Sequence, residues 1–341
     1  MSHGAEWMIG SGAGRSDVRV LFTSGGRRIE LMQAFARAAR TLHLAASWHV
    51  VDVEAHYAAA CMADHAHRVP RIASPGYIGA LLRIVRREKI DLLVPLIDSD
   101  LVKLAEARPH FARLRCGVLI SSPEVVATCR DKLRMFRFLS RQGIDTPQTW
   151  AGAELANLRG IRFPVFLKPC FGSASKGNFI VRDRKALKAL VPLVPEAIIQ
   201  EYVPGVEYTL DVYTGYDGQP RCVVPRQRIE VRGGEVTKSR TRKHAQIMAV
   251  GTQVARALAG CVGLITIQLI LASSGRIRVI EVNPRFGGGA PLAIRAGADF
   301  PRWLLAEWLG RRPRIRADQF EDGLMMLRYH QSFFEKTSGA D

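Results

Sequence analysis

The chain has 341 residues, 48% hydrophobic and 23% charged, which is the make-up of a folded protein long enough for two or three lobes. No run approaches eighteen uncharged apolar residues and the N-terminus lacks a charged segment followed by an apolar core, so neither a transmembrane helix nor a secretory signal is expected. The net charge is +18, but the 49 Lys and Arg are spread along the chain and are not interleaved with aromatics, so an anionic substrate explains the charge better than nucleic acid does. The six cysteines are scattered without a CxxC pair and read as reduced thiols of a cytoplasmic protein, not as a disulfide framework or a zinc site.

Residues 1–17 are Gly/Ser-rich, lack periodicity and read as a flexible leader. Gly10–Gly14 (GSGAG) precedes the first strand, so it is no dinucleotide fingerprint, which must follow one. Residues 18–122 alternate strands with helices: strand Val18–Thr23, helix Ile29–Leu42, strands Ser47–Val53 and Arg68–Ile72, helix Tyr77–Glu88, strand Asp91–Pro95, helix Leu101–Ala107, strand Gly117–Ser121. This predicts a Rossmann-like parallel sheet whose ligands lie beyond the carboxyl ends of the strands. Ser24, Gly25, Gly26 and Arg27 after the first strand, Asp52 after the second, and Asp98 with Ser99 lie there. Gly-Gly followed by Arg27 and Arg28 at a helix N-terminus suits an anion. A glycine turn with solvated arginines explains it equally well.

Residues 123–145 form a connecting helix ending at Gly143. A lobe over residues 146–212 follows, with strand Phe163–Pro169, a small-residue loop Gly172–Gly177, strand Asn178–Arg182, helix Arg184–Val191 and strands Ala197–Tyr202 and Tyr208–Tyr213. Backbone N–H groups of the loop suit a phosphate, and a strand follows it, so it would act as a flap rather than a P-loop. Lys168, inside an apolar strand, calls for an anionic partner. Glu201 and Glu207 bracket a Pro-Gly turn; they suit ribose hydroxyls, or simply edge a polar hairpin.

The last part, residues 213–341, opens with a basic segment containing Arg226, Arg228, Lys238, Arg240, Arg242, Lys243 and His244. A charge run is usually a solvated face, so at most two or three of these should reach a site. Helix Ile247–Ala259 leads into hairpin Leu264–Arg285. With Ser274-Gly275 at the turn, facing residues sum to 549, which sets Gln268 opposite Glu281 and puts Asn283 on the same face as Glu281. Ile265, Ile267, Leu269, Leu271, Ile280 and Val282 form the opposite, buried face. Three oxygen-bearing side chains on one face suit a hard cation shared with phosphates. A half-solvated hairpin explains Gln268, but less well the bunching of Glu281, Asn283 and Arg285 before the glycines 287–289. Helix Trp303–Leu309 and a closing strand Met325–Phe334 end the chain.

The order of RDKLRMFRFLSRQGIDTP, FPVFLKPCFGSASKG, QEYVPGVEYTLDV and IQLI…IEVNPRFGG resembles the ATP-grasp superfamily, specifically its carbamoyl-phosphate-synthetase-like branch of carboxylate–amine ligases. The resemblance covers residues 18 to 310. VLFTSGGRR resembles the pre-ATP-grasp domain of that branch. The implied fold is α/β, with a parallel-sheet domain before a two-lobed grasp of α+β character. The implied cofactors are ATP and one or two Mg²⁺, with Mn²⁺ as a substitute. By the resemblance, Lys132 and Lys168 contact ATP phosphates, and the flap contributes Gly172, Ser173, Ser175 and Gly177. Glu201, Tyr202 and Val203 frame adenine, largely through backbone, and Glu207 holds ribose. Gln268, Glu281 and Asn283 carry the metal; the neutral Gln268, where many members have Glu, weakens a second ion. Lys168, Arg285 and Lys238 are the catalytic cations. Ser24, Gly25, Arg27, Arg226, Arg240, Gly287 and Gly288 are the substrate candidates. The implied reaction joins a small-molecule acid to an amine and releases ADP and phosphate. Its rivals are bicarbonate or carbamate phosphorylation, which a single grasp unit without an ammonia-generating domain disfavours, and a non-catalytic ATP-binding regulator. A homodimer is expected from resemblance alone.

Overall fold

The computed structural model describes Met8 and residues 11–157, 160–172 and 177–334. The first sheet contains β1 (Asp17–Thr23), β2 (Ala45–Asp52), β3 (His65–Arg68), β4 (Leu92–Pro95) and β5 (Gly117–Val118), in the order β3-β2-β1-β4-β5. All four pairings are parallel. The central strand β1 is apolar on both faces because both are covered. Val18, Val20 and Phe22 pack toward helix α1 (Ile29–Thr41), and Leu21 packs toward α2 (Tyr77–Glu88) and α3 (Leu101–Arg113). β3 lies earlier than the expected Arg68–Ile72, since Pro70 has no N–H to donate to a ladder.

The described part of the expected leader is docked. Met8 is buried in the core, and the Gly12 N–H donates to the Trp308 carbonyl at 2.9 Å. A Cβ at Gly12 would come within 2.4 Å of the Trp308 ring. The single connecting helix is in fact two, α4 (Pro123–Arg130) and α5 (Lys132–Arg141). Asp131 breaks it: its backbone is extended, and its carboxylate accepts the Leu133 and Arg134 N–H groups at 2.9 Å as an N-cap.

Two antiparallel sheets follow. The smaller contains β6 (Thr149–Ala151), β7 (Val165–Pro169), β8 (Phe179–Val181) and β9 (Ala197–Glu201), in the order β6-β9-β7-β8, with α6 (Arg184–Leu190) packed on it. The larger contains β10 (Gly205–Gly215), β11 (Cys222–Arg232), β12 (Glu235–Thr241), β13 (Gly263–Ala272), β14 (Ile277–Asn283) and β15 (Met325–Leu327), in the order β14-β13-β10-β11-β12-β15. Helix α7 (Ala245–Ala257) packs on one face of it; α8 (Ala290–Arg295) and α9 (Phe300–Trp308) join it to α1. The fold class is the expected one, a parallel-sheet domain followed by antiparallel lobes. Residues 202–204 do not turn a hairpin: they carry the chain from the smaller sheet to the larger. The closing strand is shorter than Met325–Phe334.

The β13–β14 hairpin follows the predicted register at its inner end, where Gln268 faces Glu281 and Thr266 faces Asn283. Beyond Gln268 a β-bulge shifts the pairing, so Leu269 faces Val279 and Ile280 is the extra residue. A bulge re-aims side chains. Ile280, expected on the buried face with Val282, instead lines the same cavity as Glu281.

Candidate functional site

The two antiparallel sheets enclose a cavity of about 400 Å³, within the range of small-molecule sites. It gathers Lys132, Lys168, Gly172, Glu201, Tyr202, Val203, Glu207, Gln268 and Glu281 from segments far apart in sequence. A recess of about 20 Å³, room for a single water, adjoins it; Lys132, Gly172 and Glu281 border both, and Asn283 and Asp98 line the recess.

Lys168 owes its place to strand alternation. On β7 it shares a face with Phe166, which also lines the cavity. Its ammonium donates to the Gln200 Oε1 at 2.8 Å, a diagonal cross-strand pair, and the Gln200 amide donates to the Thr149 hydroxyl at 2.8 Å. Lys168 is 5% exposed and has no carboxylate within ion-pair distance among the described residues. Burial therefore pulls its pKa down to about 8, with Glu281 opposing. Lys132, at the start of α5, donates to the carbonyls of Cys170 at 3.3 Å and Gly172 at 3.1 Å, which ties it to the stem of the small-residue loop. Ser173 and Ser175 lie outside the described residues. Gly177 is described, at φ +74°, but does not line the cavity.

The segment between the sheets is anchored by charge. The Glu201 carboxylate accepts from Arg278 at 2.8 Å and from the Gln148 N–H at 3.1 Å. Burial opposes its ionisation, but these donors hold its pKa below the usual value. The Glu201 carboxylate is thus engaged by protein donors, and its own N–H donates to the Gln148 carbonyl at 2.8 Å. Glu207 pairs with Arg228 at 3.0 Å; burial nonetheless raises its pKa, with Arg228 opposing. On the hairpin, the Asn283 amide donates to Glu281 Oε1 at 3.1 Å. Among the described residues no cluster of three His, Cys, Asp or Glu could hold a metal. One carboxylate with two amides is instead the donor set of a cation that takes its remaining oxygens from phosphates. Gln268, Glu281 and Asn283 fit one Mg²⁺ on that ground, and a second ion less well.

Other expected site residues lie elsewhere. Arg226 is fully buried and paired with the equally buried Asp211 at 2.6 and 3.1 Å, so it holds β10 to β11 and lines neither cavity. Lys238 lies outside the cavity, 42% exposed, with Glu230 at 4.0 Å. Arg240 donates to Gln227 Oε1 at 3.1 Å and also lies outside it. Arg27 points outward, 74% exposed, and pairs with Glu235. Gly25 is packed against Val50, where a Cβ would fall at 2.3 Å, and Ser24, at φ 52°, continues the turn. Arg285 is held by Asp98 at 2.5 Å and lines neither cavity. Gly287 packs against Thr266, and Gly288 against the guanidinium of Arg28.

Sequence reasoning missed Gln200, Phe166, Ile270 and Asn178 in the lining. Two-residue periodicity from Lys168 and Gln268 points to Phe166 and Ile270; Gln200 and Asn178 carried no comparable signal.

Residues 129–289 match the family model described as ATP-grasp domain, and residues 20–119 match the model described as PylC-like, N-terminal domain. The chain belongs to the ATP-grasp superfamily. Similar relatives include the carbamoyl phosphate synthase large chain of Methanosphaerula palustris, 22% identical over 249 residues, covering 64% of this chain and 22% of that one. The 3-methyl-D-ornithine–L-lysine ligase of Methanosarcina barkeri is 25% identical over 210 residues, 61% of this chain and 53% of that one. The ATP-grasp chain thus spans about a fifth of the first relative and about half of the second. Among solved structures, the biotin carboxylase domain of Hydrogenobacter thermophilus 2-oxoglutarate carboxylase, a complex with MgADP and bicarbonate, superimposes with a TM-score of 0.71 at 16% identity, covering 90% of this chain and 73% of that one. The ATP-grasp fold implies binding of ATP and Mg²⁺. No helix among the described residues is long and apolar enough to cross a membrane.

Proposed function

We propose that this ATP-grasp chain is a carboxylate–amine ligase, activating a small-molecule acid as an acyl phosphate and joining it to an amine with release of ADP and phosphate. The observation that carries the reading is the single cavity in which Lys132, Lys168, the 201–203 backbone, Glu207 and the Gln268–Glu281 pair converge. In this reading adenine lies against residues 201–203, where Tyr202 stacks on Phe166 with ring centroids 6.3 Å apart. Glu207 takes the ribose, and Lys132 and Lys168 take the phosphates. Glu281, Gln268 and Asn283 hold Mg²⁺, which when bound neutralises charge on the phosphates.

The protein's own work is alignment and charge. Lys168 is fixed by Gln200, so its ammonium needs no reorganisation when negative charge shifts toward the leaving oxygen. Orientation of acid and nucleotide contributes up to about 7–11 kcal/mol. The amine attacks the acyl carbon and phosphate departs with the electron pair of the C–O bond. Enclosure between the sheets keeps water from the acyl phosphate. Arg285 is already paired with Asp98 and lines neither cavity, whereas Lys132 and Lys168 both face the nucleotide cavity.

Similarity to carbamoyl phosphate synthase supports a second reading, phosphorylation of bicarbonate or carbamate. One assay separates them. ADP release is measured with Mg²⁺ across panels of acids, amines and bicarbonate. The ligase reading expects release that needs both an acid and an amine, and its loss in Glu281→Ala. Release with bicarbonate alone favours the second reading, and a fully active Glu281→Ala overturns the metal assignment.

A further inference from the structure

Where β1 and β4 end, three segments meet: residues 24–28, 96–98 and 285–288. Arg28, at the start of α1, is partly buried there, and its nearest hydrogen-bond acceptor is the Leu96 carbonyl at 3.5 Å. Among the described residues it has no carboxylate within ion-pair distance, whereas its neighbour Arg27 pairs outward with Glu235. The Gly288 backbone lies against its guanidinium, where a Cβ would come within 2.8 Å of Nη1. Arg328 donates to the Gly288 carbonyl at 2.8 Å and meets Glu30 at 3.3 Å. Arg285 completes the group, paired with Asp98. With the adjacent Arg27–Glu235 pair, whose carboxylate also acts on Arg28, four guanidiniums face three carboxylates, which leaves one positive charge without a partner. Burial and the charge of Arg285 push the Arg28 pKa down to about 10, so the cluster carries its cation at a cost that an anion would relieve.

The cluster is continuous with the candidate active site. Asp98 borders the recess beside Asn283 and Glu281, and its Oδ1 is buried with no partner. Ligands of parallel α/β sheets bind at this end of the strands. We propose that Arg28, framed by the Gly287-Gly288 backbone, Arg285 and Arg328, is a recognition site for a spectator carboxylate, a carboxylate on one of the substrates that is not activated and survives in the product. The single uncompensated charge favours a monoanionic carboxylate over a phosphate dianion, and a guanidinium beside a glycine backbone is suited to it. The inference rests on the ligase reading for the word substrate, but the anion site is testable without turnover.

The test uses the full chain, with Arg28→Met and Arg28→Lys as variants. Thermal unfolding is followed in sodium propionate, in sodium phosphate and in sodium chloride at matched ionic strength. The expected result is an upward shift in propionate for the parent that shrinks in Arg28→Lys and disappears in Arg28→Met. A phosphate shift that persists in Arg28→Met belongs to the nucleotide cavity. A larger phosphate shift that Arg28→Met abolishes assigns the cluster to a phosphate group and overturns the carboxylate. Equal propionate shifts in parent and Arg28→Met, or none in the parent, overturn the site. In the turnover assay, Arg28→Met raises the KM of a carboxylate-bearing substrate about tenfold to a hundredfold while sparing its amide-capped analogue. Absence of ADP release with every acid and amine would sink the ligase reading and leave the propionate result standing.

Discussion

Gln200→Leu removes the partner of the buried lysine and keeps most of the side-chain volume. In the parent, Lys168 Nζ donates to Gln200 Oε1 at 2.8 Å, and both residues are 5% exposed. A hydrogen bond to a charged group contributes about 1.5–3 kcal/mol, and an ammonium left without it remains buried. Thr149 keeps its own bond to the Pro147 carbonyl at 2.9 Å, so the loss centres on the lysine. The variant is therefore expected to lose about 2–3 kcal/mol of stability and to bind MgATP more weakly. Lys168→Met strands the amide instead, at about 1–3 kcal/mol. With both partners apolar, the double variant is expected to be little worse than either single one. The resulting coupling of about 1.5–3 kcal/mol is read from urea denaturation of all four proteins in a double-mutant cycle. Additive losses would refute the reasoning, since they would mean that Gln200 stabilises the sheet without addressing Lys168.

Two further outcomes follow from the same geometry. Because burial lowers the folded pKa of Lys168 to about 8 from an ordinary 10.5, the unfolded chain holds that proton to higher pH. Its contribution to stability therefore rises as pH climbs from about 8 toward the unfolded value, while its charge, and with it kcat/KM for ATP, falls about tenfold per pH unit over the same window; Lys168→Arg should flatten that limb. Arg226→Met leaves the fully buried Asp211 unpaired and is expected to cost about 3–5 kcal/mol, most of it recovered in Arg226→Met/Asp211→Leu. A rise in substrate KM without loss of stability would instead return Arg226 to the substrate-contact role.

Local pattern made much of this architecture legible. The alternation of strands with helices over residues 18–122 announced the parallel sheet, and the equal spacing of Gln268 and Glu281 about the turn located their pairing. Hidden features depend on single side chains acting against a pattern. Asp131 caps one helix while ending another, which an apolar periodicity running through both does not reveal. The bulge at Ile280 turns an apolar residue toward the cavity, and period-two counting cannot register an inserted residue. Arginines were the least readable. Arg226, Arg27 and Arg28 look alike in sequence, yet one is buried against Asp211, one is solvated and one faces a glycine loop. What separates them is the partner that the fold brings up, and those partners lie 15 to 260 residues away.

The central claim is that a carboxylate attacks the terminal phosphate of ATP. Once the acid is found, the direct measurement is turnover with its carboxylate oxygens labelled with ¹⁸O, followed by mass analysis of the inorganic phosphate. Acyl phosphate formation predicts that each phosphate carries one oxygen from the acid, in step with ADP and amide. Unlabelled phosphate released alongside ADP would mean that water, not the acid, is the nucleophile, and would contradict the account.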